Sequence, residues 1–94
     1  MTADDTIRRS FTIPNERGLH ARAATLLVHT VSRFDAEVLI DKAGTRANGR
    51  SVMSLLILAA TKGSTIQVEA RGPERQAAMD AVTALIERRF DEEE

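Results

Sequence analysis

The side chains best equipped for chemistry lie together in the stretch Asn15-Glu16-Arg17-Gly18-Leu19-His20-Ala21-Arg22-Ala23-Ala24. Gly18 lets the backbone take a positive φ in a turn. His20 follows where a helix begins, and Arg22 stands two residues later. The start of a helix presents free N–H groups at the positive end of its macrodipole, which suits an anion. Here those groups belong to Ala21, Arg22 and Ala23. A neutral imidazole in that place is a competent nucleophile toward phosphorus, and a guanidinium matches phosphate oxygens. The chemistry implied is acceptance of a phosphoryl group on His20, with Arg22 and the first-turn N–H groups holding the oxygens. On the His-x-Arg pair alone, the plain alternative is a capping or surface histidine.

Two further groups qualify. Ser51 precedes a short apolar run and fits the N-cap position, because its hydroxyl can accept an orphan backbone N–H. Val52, Met53 and Leu56 share one face of the helix that would follow, while Leu55 and Leu58 turn toward a sheet; the simplest reading buries them all. His29 lies nine residues beyond His20. On an ideal helix that is about 180° around and about 13.5 Å along, so the two cannot share a metal. His29 is expected on the surface.

A small set of elements must position these residues. Ile7, Phe11 and Ile13 share one phase of a two-residue alternation, which predicts a strand, with Arg9 as a charge in the apolar phase. Residues 14–18 have turn chemistry. Ala24, Leu27, Val28 and Val31 fall on one face of a helix over about 21–33, with Arg22, His29 and Arg33 opposite. A strand over 36–40, a hairpin turn over 41–45 and a weak return strand over 45–50 follow. A short helix over 51–58 ends at Thr61-Lys62-Gly63. Residues 64–71 form a strand in which Ile66, Val68 and Ala70 alternate with Gln67 and Glu69. A helix over 74–90 follows Pro73, a residue suited to helix starts, with Ala78, Val82, Leu85 and Ile86 on one stripe. Residues 1–6 read as a frayed tail, 7–90 as a single domain and 91–94 as a solvated acidic tail. The order β-α-β-β-α-β-α predicts an α+β fold, one four-stranded antiparallel sheet with three helices on one face.

Composition narrows the functions. A chain of 94 residues, 43% apolar and 29% charged, allows one small globular domain and argues against wholesale disorder. No apolar run reaches the roughly 18 residues of a membrane span. The acidic start MTADDTIRRS lacks the basic-then-apolar order of an export signal, so a cytoplasmic protein is expected. Cysteine is absent, which removes disulfides, thiolate nucleophiles and Cys-ligated metals. Phe11, Phe34 and Phe90 are the only aromatics, too few for reading single-stranded nucleic acid by stacking. Residues 21–73 carry seven Lys/Arg and four Asp/Glu, a balance of +3, and residues 74–94 carry three and seven, a balance of -4. A mildly basic middle favours an anion or an acidic protein partner and falls far short of a nucleic-acid footprint.

The motif G-L-H-A-R-A-A closely resembles the G-L-H-A-R-P-A active-site motif of the HPr family of phosphocarrier proteins. The likeness continues through T-L-L-V, F-D-A-E-V, R-S-V-M-S-L-L, A-T-K-G and I-Q-V-E-A-R-G-P, and so covers roughly residues 7–90. It implies the family's open-faced β-sandwich. His20 would be phosphorylated at Nδ1, receiving the group from phosphorylated enzyme I, itself charged by phosphoenolpyruvate, and passing it to an enzyme IIA. Arg22 would stabilise the group in transfer, and the resemblance implies no metal or bound cofactor in this chain. Ser51 matches the family's regulatory serine, the target of an HPr kinase/phosphorylase where such a kinase is present. Val52, Met53 and Leu56, joined by Leu26 from the first helix, would form the docking patch for enzyme I and enzyme IIA, rimmed by Arg22, Arg33 and Arg50. The protein would work as a monomer, as a phosphoryl-transfer intermediate rather than a stand-alone turnover enzyme. Ala23 departs from the family, which has proline there; alanine restores an N–H donor and leaves the first turn less rigid. F-D-A-E-V-L, the G-P start of the last helix and the F-D-E-E-E ending look more like the nitrogen-related branch than the sugar-uptake form. The rivals are a sugar-uptake HPr, a regulatory protein of this fold that carries no phosphate, and a ferredoxin-like nucleic-acid or small-ligand module. The shortage of aromatics and the near-neutral charge argue against the last.

Overall fold

The structure is a computed structural model that describes residues 5–92. Alternation organises the sheet. In β4 (Thr65–Arg71), Ile66, Val68 and Ala70 are buried while Thr65, Gln67 and Arg71 are exposed. β1 (Ile7–Thr12) pairs antiparallel with β4, setting Ile7 opposite Ala70, Arg9 opposite Val68 and Phe11 opposite Ile66. β2 (Glu37–Lys42) pairs antiparallel with the other edge of β4, setting Val38 opposite Ala70 and Ile40 opposite Val68. β3 (Thr45–Asn48) pairs with β2, so the sheet order is β1-β4-β2-β3. These registers put the apolar phases of the strands on one face. That face is covered by α1 (Ala21–Val31), α2 (Val52–Ile57) and α3 (Arg75–Glu87). The other face is open and charged: Glu69 pairs with Arg8 and Arg46, and Glu37 with Arg71.

Arg9, the charge in the apolar phase, has a place to go. It stands on an edge strand beside α3, donates to the Thr83 hydroxyl at 3.2 Å and lies over the Phe11 ring. The weak strand after residue 44 is held by its turn. Ala43 and Gly44 have φ of 51° and 89°, and the Asp41 carboxylate accepts from the Gly44 N–H at 3.0 Å. That is the left-handed pair a two-residue hairpin favours.

Two boundaries near the C-terminus differ from the sequence expectation. The last helix, expected over 74–90, ends at Glu87. Arg89, Phe90 and Asp91 then take φ of 58°, 55° and 60°. Side chains resist this left-handed region at about 1–2 kcal/mol per residue, so the reversal exists only because the surroundings hold it. Phe90 is buried at 1% exposure, and Arg88 Nε bonds the Asp91 carboxylate at 2.9 Å. The solvated acidic tail expected over 91–94 is corrected at Glu92, which this reversal turns inward, so that its side chain is only 7% exposed. Residues 93–94, like 1–4 of the expected N-terminal tail, lie outside the described residues.

Candidate functional site

The loop before α1 is pinned by Gly18. Its φ is +67°, and a Cβ there would lie 2.5 Å from the Ala60 carbonyl oxygen and 2.9 Å from the Thr61 Cα. No larger residue allows this approach. The Gly18 N–H donates to the Asn15 carbonyl at 3.1 Å, and the next N–H, of Leu19, donates to the Ala60 carbonyl at 2.9 Å. Leu19 is buried in the core. The chain therefore enters α1 at a fixed height and angle, and His20 is the residue at the turn-in.

His20 is the N-cap of α1, with extended backbone (φ -82°, ψ -178°). Its carbonyl accepts the first helical bond, from the Ala24 N–H at 2.8 Å. Its Nδ1 accepts from the Arg22 backbone N–H at 3.3 Å. The N–H groups of Ala21 and Ala23 complete the first turn, where no carbonyl lies four residues back in the helix. Arg22 is exposed, while Ala23 is fully buried. The expectation of a histidine at a helix N-terminus with an arginine beside it thus describes the observed arrangement.

The other ring nitrogen was not anticipated. Nε2 of His20 bonds the Glu92 carboxylate. The Glu92 side chain is only 7% exposed, and that of His20 20%. The second Glu92 oxygen accepts from Asn15 Nδ2 at 3.0 Å, and the same Nδ2 donates to the Gly18 carbonyl at 2.8 Å. Asn15 is fully buried, and its Oδ1 has no partner among the described residues. Partial burial pushes the Glu92 carboxyl up, but the hydrogen bonds from His20 and Asn15 and the charges of His20 and Arg17 outweigh it and hold the group below its ordinary value. The hydrogen bond from Arg88 is the main cause holding Asp91 below its ordinary value, opposed by a smaller desolvation and helped by the charges of Arg88 and Arg22.

Ser51 caps α2, its hydroxyl accepting from the Ser54 N–H at 3.2 Å. The expected patch of Leu26, Val52, Met53 and Leu56 is partitioned. Leu26, Val52 and Leu56 are partly buried against the core, and Met53 is 69% exposed. Ile57, which the sequence reading did not single out, is 71% exposed. Its spacing of four from Met53 was the available signal, since such residues are neighbours on a helix face. Arg50 is engaged with the Phe34 and Ala36 carbonyls at 2.7 and 3.0 Å, so it clasps the chain ahead of β2. Arg33 is exposed over the Phe34 ring. His29 is exposed. Asn15 and Glu92 complete the list of missed residues: Asn15 was legible only as turn chemistry, and Glu92 as one acid among several. No cluster of three His, Asp or Glu side chains suited to a metal occurs among the described residues, and no helix there is long and apolar enough to cross a membrane.

The chain is similar to known proteins along nearly its whole length. A family profile described as "PTS HPr component phosphorylation site" matches residues 7–88. The phosphocarrier protein NPr of Escherichia coli K12 is 44% identical over 89 residues, covering 94% of this chain and 99% of that protein. The phosphocarrier protein HPr of Neisseria meningitidis serogroup A is 43% identical over 88 residues, with the same coverage of 94% and 99%. Among solved structures, HPr-C-His from Thermoanaerobacter tengcongensis superposes with a TM-score of 0.89 at 33% identity, covering 94% of this chain and 99% of that one.

Proposed function

The chain belongs to the HPr family of phosphocarrier proteins of the phosphotransferase system, and we propose that it carries its phosphoryl group on Nδ1 of His20. Proteins of this family work with enzyme I and an enzyme IIA. In the proposed cycle the Nδ1 lone pair attacks phosphorus on phosphorylated enzyme I. The N–P bond forms as the bond from phosphorus to the donor breaks, and that electron pair leaves with the donor. The Arg22 N–H, held at 3.3 Å from Nδ1 in the resting state, is released to the phosphoryl oxygens together with those of Ala21 and Ala23. The Arg22 guanidinium meets the same oxygens, where charge-assisted bonds are strongest. Passing the group to an enzyme IIA runs the steps in reverse. Such transfer depends on position and charge more than on further covalent machinery.

The observation that carries this reading is the placement of Nδ1 at the N-terminus of α1, facing the first-turn N–H of Arg22. Ser51 is proposed as the regulatory phosphorylation site, because a phosphate at a helix start is compatible with the dipole while adding charge at the docking surface. We assign the chain to the nitrogen-related, regulatory branch on its F-D-A-E-V-L, G-P and F-D-E-E-E blocks. Relatives named HPr and NPr match at 43% and 44% identity, so the sugar-uptake form is the second reading. Phosphorylated protein offered in parallel to a regulatory enzyme IIA and a sugar-specific one decides between them. Faster transfer to the regulatory acceptor is expected; faster transfer to the sugar-specific acceptor reverses the branch assignment.

A further inference from the structure

We propose that Glu92 is a positioning residue for His20: its carboxylate, itself fixed by Asn15, holds the imidazole as the Nε2–H tautomer and so leaves the lone pair on Nδ1. This rests on the reading of Nδ1 as the accepting atom. An ionised carboxylate only accepts, so the nitrogen bonded to it must carry the hydrogen. A backbone N–H only donates, so the nitrogen facing Arg22 must offer a lone pair. Glu92 and Arg22 contact opposite nitrogens of the same ring, and both demand the same tautomer. The alternative tautomer would set N–H against N–H at Arg22 and lone pair against carboxylate at Glu92.

Glu92 is held for this task. One oxygen faces the ring and the other takes the Asn15 amide, which is anchored in turn on the Gly18 carbonyl. Asn15 and Gly18 belong to the same loop that sets the His20 backbone, so ring and carboxylate share one frame. The Arg89–Asp91 reversal delivers Glu92 from the end of α3. When Nδ1 forms its bond to phosphorus, Nε2 keeps its hydrogen and the ring becomes cationic. The carboxylate then faces a positive charge. Its contribution therefore grows along the reaction, as the orienting acid of a histidine-containing triad does.

Nuclear magnetic resonance on protein labelled at the histidine ring nitrogens tests this without any phosphoryl donor. At neutral pH the wild type should show His20 with hydrogen on Nε2 and none on Nδ1, and the Nε2–H proton should exchange slowly enough with water to be seen. In Glu92→Ala that proton should exchange too fast to be seen. The single-turnover rate of phosphorylation by enzyme I should fall about tenfold, with the donor concentration at half-maximal rate unchanged. Glu92→Gln, matched in size, guards against unfolding of the C-terminal reversal. Its amide must set an NH2 group toward either Asn15 or the ring, so it should also lose the protected proton. A wild-type ring with hydrogen on Nδ1, or a protected proton and full rate in both variants, overturns the proposal. Wild type that shows the protected proton yet takes no phosphoryl group overturns the carrier reading and the positioning role with it, whereas phosphorylated wild type with unaltered variants overturns the positioning role alone.

Discussion

Asn15 donates its side-chain amide to Glu92 at 3.0 Å across 77 residues of sequence. The loop before α1 and the turn that follows α3 thereby meet at His20. The bond explains why a buried asparagine sits in a loop that would otherwise need only turn chemistry. It also couples the chain terminus to the residue proposed to carry the phosphoryl group.

Asn15→Ala should therefore be costly. It leaves the Gly18 carbonyl and one Glu92 oxygen without their shared donor, at about 2 kcal/mol for buried groups. Asn15→Asp should be worse at pH 7, because it replaces the donor with a second carboxylate facing Glu92. Like charges raise the folded-state pKa of such a pair, so stability should recover as pH falls and one of them takes a proton. Denaturant melts of the two variants at neutral and mildly acidic pH check the sign.

Glu92 gives the opposite pH dependence in the wild type. Its folded-state pKa is lowered from the ordinary value of 4.5. A lowered carboxylate contributes stability that is present above the ordinary value and lost as pH falls through the folded one. The melting temperature of wild type should exceed that of Glu92→Gln at neutral pH, and the margin should close in acid as Glu92 takes its proton.

Ser51→Ala removes the cap on the Ser54 N–H and should lower stability by about 1 kcal/mol. Phosphoryl acceptance from enzyme I should be little changed. Ser51→Asp keeps a capping oxygen and adds charge, so stability should hold while the KM for enzyme I rises. Thermal melts beside initial transfer rates separate the two effects.

Met53 and Ile57 are exposed at 69% and 71%, and we propose that they contribute to the surface that docks enzyme I. Truncating either to Ala should change stability by less than about 0.5 kcal/mol. The KM for enzyme I should rise several-fold with the maximal rate retained. Leu56→Ala, by contrast, removes a side chain packed on the core and should lower the melting temperature as well.

Legibility in the sequence followed the range of the interaction. The β4 alternation, the apolar stripe of α1 and the Ser51 cap depend on residues within a turn or two of each other, and each is found where periodicity places it. The His20–Arg22 relation is equally local. The edge position that accommodates Arg9 depends on Thr83 in α3, which no local pattern encodes. Phe90 continues the apolar phase of α3 in the sequence, but it is buried from a left-handed turn beyond the helix end at Glu87. Glu92 reads as one acid among several until the reversal at residues 89–91 is known. Arg50 reads as a rim charge until the Phe34 and Ala36 carbonyls are seen to need a donor.

Phosphoryl carriage on Nδ1 of His20 is tested most directly by incubating the chain and His20→Ala with phosphoenolpyruvate and enzyme I and weighing both by mass spectrometry. One acid-labile phosphate on the wild type, localised to Nδ1 by the phosphorus coupling of the ring nitrogen, and none on His20→Ala is the predicted result. An unphosphorylated wild type, beside an enzyme I shown to charge another carrier, or a phosphate that survives the His20→Ala change, would contradict it.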